Sequence, residues 1–346
     1  MPVQVFMISR DADAVRPGSP TAKRIAGYAA LGAEVTVVFA SPMRFASVLW
    51  RGLATVRHGW VVTAQDPFEA GLAGWLIARL RGAKLELQMH GDFFNPAWAA
   101  EAWHRPLRLM LARFQLRRAD GVRVVSARLA RSLQEIVSTD RITIIPVAPK
   151  MPAIGTETIY WNEIRYDGRL TTEKNLPMLV RAFAQVRKQF PHPLLRIRGG
   201  GPEQKTIQDE IDRVIGKEDK DHAHIERPII IQGWTRDASV DTAGIIAIPS
   251  LHESWSRLAI EAALAGRAIV MTDVGCAGEV IVDGESGWVV PPGDEAAFAA
   301  ALADALAHPD EARRRGENAR RAAAALPDAA EIARRIVAAW EKLART

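Results

Sequence analysis

Cysteine is almost absent: the 346 residues hold a single one, Cys276. One thiol excludes internal disulfides and fits a reducing compartment such as the cytoplasm. Long apolar runs are missing as well, and none approaches the ~18 residues that a membrane-crossing helix needs. Residues 1–9 lack the basic start and extended apolar stretch of a signal peptide, so the expectation is a soluble cytoplasmic protein. Metal-ligand spacing is wanting too. The His and Glu residues within 217–227 are too irregular for a metal site, and the acidic pair Asp11-Ala12-Asp13 reads as loop and N-cap chemistry. The turn Gly199-Gly200-Gly201 falls short of Gly-x-Gly-x-x-Gly, which removes the simplest signal of dinucleotide binding.

What is there reads as α/β. The length favours two domains of about 150 to 180 residues, and the composition supplies apolar residues for two cores. Strand patterns at 3–9, 34–40, 61–64, 84–89, 122–126 and 142–146 alternate with helical ones, the mark of parallel sheets. Ser19 caps a helix that Pro20 begins, and Asp66-Pro67 opens another that Gly82 closes. Residues 96–118 read as one basic, aromatic-flanked helical region. The best domain boundary lies within 147–160, which gives domains at 1–150 and 151–326 and a terminal segment at 327–346.

The densest chemistry lies in residues 248–292. A strand ends at Pro249-Ser250, a polar loop follows, and a helix runs from about Ser256 to Ala265 with Gly266 as its cap. Between Leu258 and Gly266 that helix is apolar on every side except at Glu261, so it is expected to be buried and its carboxylate satisfied. Glu253 stands eight positions earlier. The two carboxylates flank a helix N-terminus whose free amides, from Ser254 to Leu258, suit an anion. A phosphate at the amides with hydroxyls at the two Glu is the simplest ligand that fits. On spacing alone, a surface Glu253 and a Glu261 paired with a core Arg fit equally well.

The segment resembles the donor-binding signature of retaining GT-B glycosyltransferases of the family 4 type, the glycosyl transferases group 1. Their pattern of Glu, seven residues, Glu and Ala-x-Ala-x-Gly is approached by Glu253, Glu261, Ala262, Ala263, Ala265 and Gly266, with Leu264 at the second Ala. Gly275-Cys276-Ala277-Gly278-Glu279 and Asp283-Gly284-Glu285-Ser286-Gly287 continue the match. Ser254 and Ser256 replace the glycines that usually flank the aromatic at Trp255. A second motif, Gly168-Arg169-Leu170 with Lys174-Asn175, is similar to the family's Gly-Arg-Leu-x-x-x-Lys-Asn. The family's Pro-Asn-Gly-Val-Asp linker is replaced by Pro146-Val147-Ala148-Pro149.

The resemblance implies two facing Rossmann-like domains, with a C-terminal helix crossing back to the first. It implies a retaining, metal-independent transfer of a hexose-type sugar from a UDP-, GDP- or ADP-sugar to a glycan or polyprenyl-linked acceptor. No cofactor is expected beyond that donor. Arg169 and Lys174 are expected to hold the diphosphate, Glu253 the sugar hydroxyls, Glu261 the ribose, and His90 the donor sugar. Ser254, Trp255, Ser256, Arg257 and Leu258 would present the loop and helix start, Gly200 a close backbone approach, and Trp234 a face for the base. A non-catalytic nucleotide-sugar-binding subunit and a sugar-nucleotide epimerase of the same fold are the alternatives. Residues 1–150 carry 20 Lys and Arg against 11 Asp and Glu, while the remainder is net acidic. Arg105, Arg108, Arg113, Arg117, Arg118, Arg128 and Arg131, with Trp98 and Trp103 nearby, suit peripheral attachment to an anionic membrane at its inner face. No nucleic-acid-reading motif accompanies this charge.

Overall fold

The computed structural model describes residues 1–149, 158–190, 192–216, 228–233 and 242–346. These divide into two compact units, Met1–Ala148 with Pro327–Thr346, and Pro149–Leu326. Each unit is built on a parallel sheet of six described strands.

The first sheet comprises β1 (Val3–Ser9), β2 (Ala33–Phe39), β3 (Val61–Ala64), β4 (Lys84–Met89), β5 (Gly121–Val124) and β6 (Ile142–Ile144), in the order β2-β1-β3-β4-β5-β6. The second comprises β7 (Tyr160–Asp167), β8 (Leu194–Arg198), β9 (Ile229–Gln232), β10 (Ala243–Ile248), β11 (Ala268–Thr272) and β12 (Trp288–Val290), in the order β12-β11-β10-β7-β8-β9. Every residue of β3, β10 and β11 is buried, as expected where helices cover both faces of a parallel sheet. The second order is that of the Rossmann fold. The first is the flavodoxin-like order, because the chain steps from β1 out to β2 and then passes back over β1 to β3. Ligands bind such sheets at the carboxyl ends of the strands where the winding reverses. Those points lie between β1 and β3 in the first unit and between β7 and β10 in the second.

The last helix, Ala329–Arg345, belongs to the first unit although the chain reaches it after the second. Its buried Ile332, Ile336, Val337 and Trp340 recur on one face. They join Val3, Val5, Tyr28 and Val61 in one core, where the Trp340 and Tyr28 rings meet edge-on at 5.3 Å. Residues 96–118 form two helices, Pro96–Ala100 and Arg105–Leu116, where the sequence suggested one. Pro106 explains the break, since proline is welcome at a helix start but not in its interior.

Candidate active site

At the reversal point of the second sheet, two loops leave β7 and β10. After β7 comes Gly168-Arg169, then a short turn, Thr172–Lys174. After β10 comes Pro249-Ser250, leading to Glu253. The loops are tied together by the Leu251 amide, which donates to the Glu173 carbonyl at 2.8 Å. That tie brings the Lys174 Nζ to the Glu253 Oε1 at 2.9 Å, with 15% and 11% of the two side chains exposed. The Ser250 hydroxyl donates to the same oxygen at 2.8 Å. Desolvating a Lys–Glu pair costs several kcal/mol per ion unless other partners help, so so enclosed a pair is a weak source of stability. Arg169 is placed differently: its side chain is 71% exposed and reaches the Glu173 Oε1 at 3.4 Å. Burial opposes ionisation of Glu173, but the nearby Thr171 hydroxyl, its own backbone amide, and the cations of Lys174 and Arg169 hold its pKa below the ordinary value.

Glycines let these loops approach. A Cβ on Gly168 would lie 2.6 Å from the Tyr166 hydroxyl, and that hydroxyl donates to the Arg169 carbonyl at 2.9 Å. In the following Gly-rich turn, Gly199 and Gly201 both make close approaches to the loop after β7. A Cβ would meet the Gly168 oxygen at 1.8 Å from Gly199, and the Leu170 oxygen at 2.2 Å from Gly201. Gly200 contributes its carbonyl, which accepts from the Leu170 amide at 3.0 Å.

The helix that follows Glu253 spans Arg257–Leu264, with Gly266 just beyond it at φ +67. Its Ala259, Ile260, Ala262, Ala263 and Leu264 are buried. Glu261 is only half-buried, a correction to the fully buried carboxylate that the apolar surroundings suggested. Arg257 is exposed, while Ser254 and Leu258 are half-buried. The Trp255 indole is 5% exposed and packs inward, so this residue presents its backbone; its carbonyl accepts from the Cys276 amide at 3.0 Å. Ser256 sits at φ +66, a left-handed conformation that glycine adopts freely and serine does not. Its buried Oγ has no hydrogen-bond partner among the described residues. Trp234 lies outside the described residues. Among those described, no three His, Cys, Asp or Glu are grouped to hold a metal ion.

In the first unit His90 follows β4 directly. Its ring keeps an accessible edge, yet dense protein behind it disfavours the charged form. The cations of Arg123 and Arg24 add to that, and the pKa falls to about 4. The ring is therefore neutral at pH 7. Its Nε2 lies 3.0 Å from the Gln88 Oε1. Sequence reasoning missed Thr63, Glu86 and Gln88, which stand behind this histidine. The period-2 recurrence of polar residues at Glu86, Gln88 and His90, inside a strand that is otherwise buried, was the signal available. It also missed Arg10, whose Nη1 reaches the Asp66 Oδ2 at 3.2 Å and the Glu69 Oε2 at 3.4 Å beside the reversal point of the first sheet.

Residues 162–322 match the family model for glycosyl transferases group 1, and residues 39–148 match that for the glycosyl transferase 4-like domain. Over residues 162–322 the chain belongs to the group 1 glycosyl transferases. This group 1 chain is 30% identical over 177 residues to the glycogen synthase of Mycobacterium tuberculosis. The alignment takes in 51% of this chain and 40% of that relative, less than half of the relative's length. Among solved structures it is similar to the sucrose-phosphate synthase of Thermosynechococcus elongatus, with TM-score 0.76, 19% identity and 99% of each chain covered. It is also similar to Anabaena HepE, solved in complex with UDP and glucose, with TM-score 0.73, 17% identity and 99% and 100% covered. The fold of this group 1 chain is GT-B.

Proposed function

We propose that the protein is a retaining glycosyltransferase that moves a hexose-type sugar from a nucleoside-diphosphate sugar to a glycan or lipid-linked acceptor, without a metal ion. The observation that carries the reading is the enclosed Lys174–Glu253 pair at the reversal point between β7 and β10. A cation held there by one carboxylate is positioned to exchange partners when a diphosphate arrives. Charge on the diphosphate rises as the glycosidic bond breaks, so a fixed ammonium stabilises the transition state more than the ground state. Arg169, exposed beside Glu173, reaches for the same diphosphate. Glu253 turns to the sugar hydroxyls and Glu261 to the ribose, while the backbone from Ser254 to Leu258 supplies amides at the helix start. His90, neutral, serves the donor sugar. The acceptor oxygen bonds to the anomeric carbon as the bond to the leaving phosphate breaks, and the acceptor proton passes to that phosphate on the same face. Binding of UDP and glucose by HepE supports a nucleoside-diphosphate donor.

The test is a thermal-shift panel of UDP-, GDP- and ADP-sugars, since a ligand bound to the native state raises stability by mass action. Release of free nucleoside diphosphate with a crude lipid acceptor follows it. A shift with one donor class and acceptor-dependent release support the reading. A shift without release under any acceptor favours a non-catalytic binding subunit.

The acceptor side carries a second element of this proposal, an anionic membrane surface. On the helix Arg105–Leu116, Leu107, Met110 and Phe114 are exposed, Trp103 precedes them at 92% exposure, and Arg113, Arg117 and Arg118 are exposed among them. The basic set is narrower than the sequence suggested. Arg105 and Arg108 lie over the Trp98 and Phe68 rings at 4.5 and 4.1 Å, and Trp98 itself is buried. Apolar anchors beside cations suit anionic lipid, each cation adding about 1 kcal/mol near such a surface. Flotation with anionic but not neutral liposomes, lost at high salt, is the expected result; failure with both makes the acceptor soluble. No helix among the described residues is long and apolar enough to cross a membrane.

A further inference from the structure

Behind His90 runs a line of buried polar side chains that ends on the C-terminal helix. The Trp340 Nε1 donates to the Glu86 Oε2 at 3.0 Å, and the Thr63 hydroxyl donates to the same oxygen at 2.6 Å. The Gln88 Nε2 donates to the Thr63 oxygen at 2.6 Å, and the Gln88 Oε1 meets the His90 Nε2 at 3.0 Å. Trp340 and Thr63 are fully buried, and Glu86 and Gln88 are 2% exposed. The register explains how they meet. Thr63 of β3 pairs with Glu86 of β4, and Glu86, Gln88 and His90 alternate onto one face, the face that Trp340 covers.

The donors and acceptors along this line leave one direction open. An indole N–H only donates, so the Glu86 oxygen accepts, and with Arg123 at 3.8 Å beside it Glu86 stays an acceptor. Thr63 then spends its proton on Glu86 and has only lone pairs for Gln88. Gln88 must present its amide NH₂ to Thr63, which turns its carbonyl oxygen to the imidazole. An acceptor there requires a proton on the His90 Nε2.

We propose that Trp340, Glu86, Thr63 and Gln88 are positioning residues that fix His90 in its Nε2–H tautomer, so that the terminal helix sets the hydrogen-bonding character of a residue serving sugar transfer. The tautomer rests on the hydrogen bonds alone, whereas its consequence for turnover rests on the reaction role proposed for His90. The neutral imidazole then keeps Nδ1 as its acceptor nitrogen, and the ring orientation is locked from behind as at other functional histidines. A network that merely pinned the helix to the sheet would be indifferent to which ring nitrogen holds the proton.

The test is nitrogen NMR of the full chain labelled at its histidines, with the His90 signals assigned by their loss in His90→Gln. In the parent the proton is expected on Nε2. Thr63→Val keeps the shape but breaks the line, and the Nδ1–H form should then appear. Turnover is expected to fall about ten-fold, the low end of the ~10–100-fold cost of losing a partner that orients a histidine, with the donor KM little changed. Glu86→Gln keeps an oxygen on the Trp340 indole and the Thr63 hydroxyl, so the line runs in the same direction and the Nε2–H form should persist. A parent on the Nδ1–H tautomer, an unchanged tautomer in Thr63→Val, or a switched one in Glu86→Gln overturns the proposal. A changed tautomer with unchanged turnover upholds the relay and removes His90 from the reaction.

Discussion

Ser256 shows what one residue costs in the loop below Glu253. At φ +66 its Cβ is strained, and its hydroxyl is buried without a partner among the described residues. Ser256→Gly relieves both at the expense of a more flexible unfolded chain, and a net gain of about 1 kcal/mol in urea unfolding is expected. Destabilisation of that size would show that the serine is better accommodated than its backbone angle indicates. His90 makes a prediction in pH. Its native pKa of about 4 lies below the ordinary 6.5, through desolvation first and then Arg123 and Arg24. The unfolded chain therefore takes up the proton first. The stability tied to a neutral His90 is complete above pH 6.5 and is lost as the pH falls toward 4. Thermal unfolding of the parent and His90→Gln should differ by a constant amount above pH 6.5, with the balance moving toward the variant below it. A constant difference down to pH 4 would mean that the ring titrates normally.

At the scale of elements, strands and caps were legible because they follow local rules. Ser19 caps the helix Pro20–Ala26 through the Ala22 amide, and Gly82 closes Glu69–Arg81 in a left-handed conformation. Side-chain meetings between elements were not legible. Which glycine of Gly199-Gly200-Gly201 carries the close approach depends on where Gly168 lies across the sheet, and no spacing rule contains that. Gly199, at φ +145, lies under the Gly168 carbonyl, and Gly201 lies under that of Leu170. Gly199→Ala is accordingly expected to cost roughly 3 kcal/mol or more in unfolding free energy, from overlap and backbone strain together. A cost below about 0.5 kcal/mol, that of an ordinary surface change, would mean that the loops do not touch as described. The inward turn of Trp98, Arg105 and Arg108 was hidden for the same reason, since composition does not say which side of a helix faces the sheet.

For the whole molecule, alternating strand and helix patterns sufficed for α/β, and the long match from Gly168 to Pro292 sufficed for the family. The strand order of the first sheet was beyond the sequence, because either winding satisfies the same pattern of buried strands. The proposed transfer turns on Lys174. In that reaction its ammonium, held by Glu253, is the fixed charge that receives the leaving diphosphate. The most direct measurement is the release of nucleoside diphosphate from the preferred donor in excess chelator, by the parent and by Lys174→Ala. The parent should keep its full rate, and the variant should lose roughly 10²-fold or more in turnover, as loss of a preorganised contact to developing charge does. A parent silent until Mg²⁺ or Mn²⁺ is added, or a variant as fast as the parent, would contradict it.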